Sequence, residues 1–402
     1  MTLNVLVAGG GLGGLCLAQG LCGEGINVRV FERDSTADIR AQGYRLRIDD
    51  HGVTALSRCL PGDLFQLFHA TTTPPSPPRG AVFDHDLQQI ESIGTSLGRT
   101  EQRRRRSTVA NRATLRQILL AGLDDTVEFD REVVAARTVG DGVEVRFANG
   151  QVATGDILVA ADGCNSAVRA QLLPHAQLLD SGLRSIYSRA ILDEHVREVL
   201  PDVLGTGSPR VIGPGGVTLA LGTYCPRESP QRAAARIAPY ARLSHVPDYL
   251  KFALVAPLAA IGLTEAELWA ASPAALYDIA CRVTADWHPA VAELVRCADP
   301  LSTFALSIRA APSVDPWPTT RITLLGDAIH ATTPAGGTGA NLALRDAALL
   351  TEYLAAVDRG RLGVLDAIAA YEDQMRDYGF AAATYSMRSA EFIFEQVPAA
   401  LV

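Results

Sequence analysis

The sequence predicts an α/β fold in which one domain is assembled from both ends of the chain and a second domain is inserted between them. Three observations predict it. Asn4–Ala8, a glycine cluster from Gly9 to Gly14, a helical run from Leu15 to Leu21 and a second strand Asn27–Phe31 follow in the order of a βαβ unit. Two later apolar strands, Asp156–Ala160 and Arg321–Leu325, run into Asp162-Gly163 and Gly326-Asp327. The segment 180–300 between them carries strand candidates and prolines but no glycine-loop signature. The expected division is therefore 1–175, 176–300 (with 71–105 a candidate contributor) and 301–402, the outer two forming one domain.

Composition bounds the rest. The chain has 402 residues, of which 48% are hydrophobic and 20% charged, which suits a packed core rather than disorder. A net charge of −8 argues against a nucleic-acid or anionic-membrane partner. Seven scattered cysteines, with no Cys-x-x-Cys pair, read as reduced thiols of a cytoplasmic protein and not as a metal centre. The N-terminus opens directly into a strand pattern, unlike a signal peptide, and the longest apolar stretch, Leu250–Leu263, is too short to span a membrane.

Along the chain, Gly43–Ile48 reads as a strand on which Arg45 and Arg47 alternate, one directed at a ligand and the other at solvent. The proline-rich segment 71–80 excludes a helix interior, and the four arginines 103–106 read as a solvated loop. Val109–Leu120 is expected to be helical, followed by short strands at 127–129, 133–138 and 143–147 with a turn at Asn149-Gly150. Strands at 217–223 and 252–255, a helix over 265–280, and helices from about Gly336 to Glu395 complete the reading. Tyr187, Tyr224 and Phe252 are candidates for a pocket wall or, more simply, for core; Trp317 reads as packing.

The chemistry-bearing motif is Gly9-x-Gly11-x-x-Gly14. Gly9 permits the tight turn off the strand, Gly11 lets the backbone approach a pyrophosphate, and Gly14 lets helix and strand pack closely. The N–H groups of Leu12 and its neighbours would then face the phosphates. Glu32 ends the second strand, where a carboxylate accepts hydrogen bonds from ribose hydroxyls, with Arg33 beside it. This is a dinucleotide site for FAD or NAD; the single motif does not separate the two. The glycine loop after Asp327, running through Pro334, Gly337, Thr338, Gly339, Ala340 and Asn341, would present backbone amides at a helix start.

Taken together, the three motifs resemble the class A flavoprotein monooxygenases, with para-hydroxybenzoate hydroxylase as the type fold. The resemblance covers roughly the first 50 residues, 109–170 and 321–380. It implies an FAD/NAD(P)-binding Rossmann-like domain with an inserted β-sheet substrate domain. It assigns Gly9, Gly11, Gly14 and Glu32 to the adenosine-diphosphate end of FAD, Arg112 to its phosphates, and Asp162 and Gly163 to cofactor binding. Asp327 would hold the ribityl chain, and Pro334 with 336–341 would line the flavin ring. The implied activity is a NADH- or NADPH- and O2-dependent monooxygenation of a small organic, aromatic or polyketide-type substrate through a flavin hydroperoxide, with FAD held non-covalently. The resemblance and the Ala-, Arg-, Leu- and Gly-rich composition together suggest secondary metabolism. His330 and Arg47 are candidate catalytic groups, although His330 reads more simply as a structural histidine that hydrogen-bonds its loop. A flavin reductase or dehydrogenase without oxygen insertion is the alternative. A halogenase is disfavoured by the missing tryptophan-rich motif, and a nucleotide-binding regulator by the three flavin motifs.

Overall fold

The computed structural model describes residues 2–37, 44–74, 80–90 and 107–395; the Arg103–Arg106 run, half of the proline-rich segment (75–79) and the side chains beyond Ala390 lie outside that set. Its organising element is a five-stranded sheet in the order Ile322–Leu324, Ile157–Ala160, Asn4–Ala8, Asn27–Phe31, Val127–Glu128, with every pairing parallel. Val5, Leu6, Val7 and Ala8 are all buried, as are the four residues of Ile157–Ala160. Burial on both faces is why these strands read as continuous apolar runs instead of alternating ones. The helix Leu12–Gly23 is apolar nearly all round because it packs on several elements at once, including the helices Asp50–Cys59, Arg112–Leu120 and Gly339–Asp358. Gln19 is buried within this packing and donates from its amide to the carbonyls of Leu119 and Ala121, both at 2.9 Å.

The chain leaves this sheet at Ala161 and returns at residue 322 in the adjacent position. A second sheet is built mainly in between. Its order is Phe304–Ala310, Leu179–Ile191, Tyr249–Pro257, Thr218–Tyr224, Arg210–Ile212, Val82–Asp84. All its pairings are antiparallel except the last, where 82–84 runs parallel to 210–212. One face, carrying Ile186, Phe252, Leu254, Leu219 and Leu221, is covered by the helices Pro273–Val283 and Pro289–Arg296 through Leu276, Ile279, Val291 and Leu294. A three-stranded antiparallel sheet, 133–139, 142–147 and 152–155, and a two-stranded ribbon, Arg45–Asp49 with Ser107–Asn111, complete the β structure.

Three sequence expectations are corrected. The helix expected from Val109 begins at Arg112, because Ser107–Asn111 is claimed by the ribbon and Asn111 is the N-cap, its side-chain oxygen accepting from Thr114 N at 3.0 Å. The helix expected over 265–280 is two helices, Glu265–Ala270 and Pro273–Val283: Pro273 cannot donate to a preceding turn, and Ser272 caps the second helix instead. The longest strand, Leu179–Ile191, was not anticipated. Phe304–Ala310 completes the second sheet although it lies beyond residue 300.

Asn111 joins the ribbon to the second sheet, since its Nδ2 also donates to the Tyr249 hydroxyl at 3.1 Å. Replacing it by Ala removes a cap and a buried hydrogen bond, so Asn111→Ala is expected to destabilise the protein by about 1–2 kcal/mol. A urea-denaturation midpoint indistinguishable from wild type would contradict this.

Candidate functional site

The carboxyl ends of four parallel strands open onto one cavity of about 290 Å³. Ligands bind at this edge of open α/β sheets because the loops and helix N-termini converge there. Of the sequence-predicted site residues, the cavity is lined by Gly9, Gly11, Leu12, Glu32, Arg33, Arg112, Asp162, Gly163, Asp327, Gly339 and Ala340.

The glycines divide by role. Gly9 has φ +104°, and a Cβ there would sit 2.4 Å from the Ala161 carbonyl oxygen. At Gly14 a Cβ would lie 2.1 Å from Gly9 O, so this glycine serves helix–strand packing and does not reach the cavity. Gly11 differs: it is the N-cap of the helix Leu12–Gly23, and a Cβ on it would meet nothing within 4 Å. Its missing side chain leaves open space in front of a helix N-terminus with no acidic residue in its first turn, an electropositive cradle suited to a pyrophosphate.

Glu32 is buried at the rim. It accepts from Gly10 N at 2.9 Å and from Asp34 N at 3.0 Å, so the carboxylate that faces the cavity also fixes the glycine loop. Arg116, which sequence reasoning missed, reaches the same loop. Its Nε donates to Gly10 O at 2.9 Å, its Nη1 to Ala37 O, and its Nη2 lies 3.8 Å from Glu32. The signal was available, since Arg112 and Arg116 stand four apart on one helix and share a face. Arg112 opens that helix, with its N–H bound to Tyr44 O at 2.7 Å.

Asp162 accepts from Ala167 N through Oδ2 at 3.1 Å, while its buried Oδ1 has no hydrogen-bond partner among the described residues. Burial raises its pKa, against the helix-start amides that lower it. Such an oxygen in a cavity wall is fit to accept from a ligand hydroxyl or N–H. Asp327 faces it across the cavity. Desolvation by the walls raises its pKa, opposed by His330 and Arg112. Arg169 ties the two loops together, donating to Ala328 O at 3.0 Å and Cys164 O at 2.8 Å. The residues present thus fit FAD: Gly11 and the helix start for the pyrophosphate, Glu32 for the adenosine ribose, Asp162 and Asp327 for the polar chain between the phosphates and the ring.

Pro334, Gly337, Thr338 and Asn341 do not line the cavity. Asn341 is a tether. It donates to Arg47 O at 2.9 Å and accepts from Asp49 N at 3.0 Å, fastening the glycine loop to the ribbon. His330 is 1% exposed and lies outside the cavity lining, with Nε2 2.7 Å from Asp346 Oδ2. Asp346 also accepts from Gly326 N and the Tyr378 hydroxyl, so the histidine belongs to the clamp that holds the Asp327 turn. Arg45 and Arg47, two apart on a strand, share one face; the expectation that they oppose each other is corrected by the period of two. Arg47 donates to Ser107 Oγ at 3.0 Å, whereas Arg45 lies over the second sheet, bound to Thr223 O. Phe252 lies in the helix-covered core and Tyr224 in a smaller buried cluster with Tyr44, Val109 and Tyr249, against which the half-buried Tyr187 packs. Trp317 donates to Glu372. All seven cysteines are free, and no helix among the described residues is long and apolar enough to cross a membrane.

Fold and cavity define a flavin-binding α/β protein with an inserted second sheet. The chain belongs to the FAD-binding-domain family of FAD-dependent monooxygenases: the family model described as "FAD binding domain" matches residues 2–190 and 282–385. A putative FAD-containing monooxygenase from Photorhabdus luminescens superposes with a TM-score of 0.83 at 30% identity, over 99% of this chain and 100% of that one. The dual O-methyltransferase/FAD-dependent monooxygenase CTB3 of Cercospora beticola is 31% identical over 92% of this chain, which spans only 44% of that protein's length. The FAD-dependent urate hydroxylase of Klebsiella oxytoca is 28% identical, with 93% of this chain and 87% of that protein covered.

Two contrasts test the site. Gly11→Ala meets no protein atom and is expected to fold normally yet lose FAD affinity by tenfold or more, whereas Gly14→Ala clashes with backbone and is expected to lower the melting temperature; equal flavin retention by G11A and wild type would refute the cradle. For the clamp, burial alone would push the His330 pKa down, but Asp346 more than reverses this, and the folded value is raised. A raised folded pKa contributes stability that is fully present below the ordinary imidazole value and is lost as pH climbs through the raised one. Asp346→Asn is expected to cost about 3–5 kcal/mol and to flatten that alkaline loss. Urea titrations of both proteins across neutral and alkaline pH measure it.

Proposed function

We propose that the protein is a single-component FAD monooxygenase that uses NADH or NADPH and O2 to place one oxygen atom in a small organic substrate of aromatic or polyketide type. The observation that supports this most directly is the convergence of the glycine loop, Glu32, Asp162 and Asp327 on one cavity at the carboxyl edge of the parallel sheet. The names of related proteins point the same way, urate hydroxylase naming a small planar ring as substrate.

Bound FAD supplies hydride acceptance from a nicotinamide and activation of O2. The chain's residues do the rest. Gly11 and the helix start would seat the phosphates, Glu32 would hold the adenosine ribose, and Asp162 and Asp327 would orient the polar chain by hydrogen bonds. The ribbon 45–49 stands between the cofactor cavity and the second sheet: Leu46 lines the cavity while Arg45, its neighbour on the opposite strand face, lies on that sheet. A substrate held against the sheet would meet the cofactor beside this ribbon, and exclusion of water there would protect the reacting atoms. FAD is non-covalent in this reading, and the inserted sheet is the substrate domain.

The test is direct. The purified protein is expected to be yellow, to release FAD on acid denaturation, and to oxidise NADH or NADPH faster when one compound of a phenolic and polyketide panel is present. Labelled O2 should appear as one atom in the product. Turnover with no incorporated label would replace the monooxygenase by a flavin reductase or dehydrogenase, and failure to take up FAD would remove the cofactor.

A further inference from the structure

The helix layer that covers the second sheet carries three metal-ligating side chains, His195, Glu293 and Cys297, and none of them lines the cofactor cavity. Glu293 lies in the helix Pro289–Arg296 and Cys297 is its C-cap, so the two stand four apart on one face. Val291, Ala292, Leu294 and Val295 of that helix are buried, which fixes it against the sheet. His195 comes from the short helix Glu194–Val199, which follows the long strand Leu179–Ile191 and is anchored by Val196. Glu293 and Cys297 are half-buried and His195 is exposed. The expectation that the cysteines form no metal centre rested on spacing along the chain, and His195 stands 98 positions from Glu293.

The three donor atoms converge. His195 Nε2 lies 3.2 Å from Glu293 Oε1, and Cys297 Sγ lies 3.8 Å from the same oxygen. All three lie within 4.8 Å of one another. A tetrahedral zinc ion with bonds of roughly 2.0–2.3 Å to nitrogen, oxygen and thiolate sulfur holds its donors about 3.3–3.7 Å apart. The two separations sit at the edges of that window. The carboxylate is also aimed. Arg296 takes only Oε2, through Nε at 3.0 Å and Nη2 at 2.7 Å, and leaves Oε1 to the histidine and the sulfur. A fixed outer partner of this kind sets the direction of a metal-binding carboxylate. Tyr277 steadies the helix end by donating to Arg296 O at 2.8 Å. Burial, followed by Glu293 and then Asp193, raises the Cys297 thiol, so the sulfur keeps its proton beside negative charge. A divalent cation can take that proton's place. An ordinary surface ion pair accounts for the imidazole and the carboxylate but not for the thiol beside the same oxygen.

We propose that His195, Glu293 and Cys297 form a binding site for a divalent ion of the zinc class, with the fourth position left to water. The donor set selects the ion. Magnesium and calcium take oxygen ligands, whereas one nitrogen, one oxygen and one sulfur suit a borderline-soft tetrahedral cation. On binding, a metal–sulfur bond forms as the S–H bond breaks, and the thiol proton passes to solvent with no change in oxidation state. The bound ion ties the connection that follows the long strand to the helix that covers the sheet, and so clasps the inserted domain away from the flavin site.

The test titrates the FAD-loaded protein, stripped of metal and with its thiols reduced, with Co2+ and then with Zn2+. Tetrahedral cobalt absorbs to the red of the flavin bands, so the two signals separate. One Co2+ per chain is expected to bind with a dissociation constant of about 10 µM or tighter, and Zn2+ is expected to displace it and bleach the band. Cys297→Ser and His195→Gln are each expected to weaken binding tenfold or more and to abolish the tetrahedral spectrum. Glu293→Gln is expected to weaken it about tenfold, while Cys281→Ser, at a neighbouring thiol, leaves it unchanged. Flavin content is expected to be the same in all of these variants. Should C297S fail to fold, Cys297→Ala is read by the same criterion, and the exposed His195 supplies an independent reading. No tetrahedral cobalt band at saturation, a band that survives loss of Cys297 or His195, or a band lost equally in C281S would each overturn the proposal.

Discussion

The contact between Gly9 and the Ala161 carbonyl is the constraint on which the rest of the structure depends. Only a residue without a side chain fits there, since a Cβ would approach that oxygen to 2.4 Å. The approach brings two strand ends close enough for their loops to share one cavity. Gly14 then sits against Gly9 in turn, which sets the depth at which the helix Leu12–Gly23 meets the sheet. A helix start placed in this way delivers its free amides to the cavity without any charged side chain of its own. The cost is a local absence of side chains, made good from outside: Glu32 and Arg116 hold the loop by its backbone.

The far wall obeys a similar economy. Asp327 must be presented to the cavity, yet its own turn is short and its preceding glycine has φ +64°. Rigidity comes from behind. Asp346, wholly buried, collects Gly326 N, His330 and Tyr378, and Arg169 crosses from the Asp162 loop to the carbonyl of Ala328. On this wall the residue that faces the cavity and the residues that hold it are separate sets, an arrangement that keeps a site's geometry through binding and release.

What was legible in the sequence follows from range. The glycine loop, Glu32, Asp162 and Asp327 could be read because each sits at the end of an apolar run, and the ends of parallel strands are where ligands bind. Arg116 belongs to no motif and is marked only by its spacing of four from Arg112, because its partners Gly10 and Ala37 lie 106 and 79 positions away. Val109 looked helical by local pattern and became a strand because Arg47 lies opposite it. Leu179–Ile191 was missed for a comparable reason: it includes Arg184 and Ser188, whose burial is compensated by partners on distant elements, Glu265 and Thr303. For His330 the sequence offers a structural and an acid–base reading, and its partner Asp346, sixteen residues later, is not marked by any local pattern.

The order in which the strands occur has a consequence for how the chain comes into being. Ile157–Ala160 is an inner strand of the parallel sheet, but its outer neighbour, Ile322–Leu324, is translated only after the whole insertion. At ribosomal rates that interval lasts roughly 10–30 s. During it one edge of an apolar strand stays unpaired, and edges of that kind invite association with other chains. The insertion, itself closed by Phe304–Ala310, can complete its sheet before its host does. The nascent protein therefore matures from the middle outward, and the cofactor cavity, which needs Asp327, is the last part to exist.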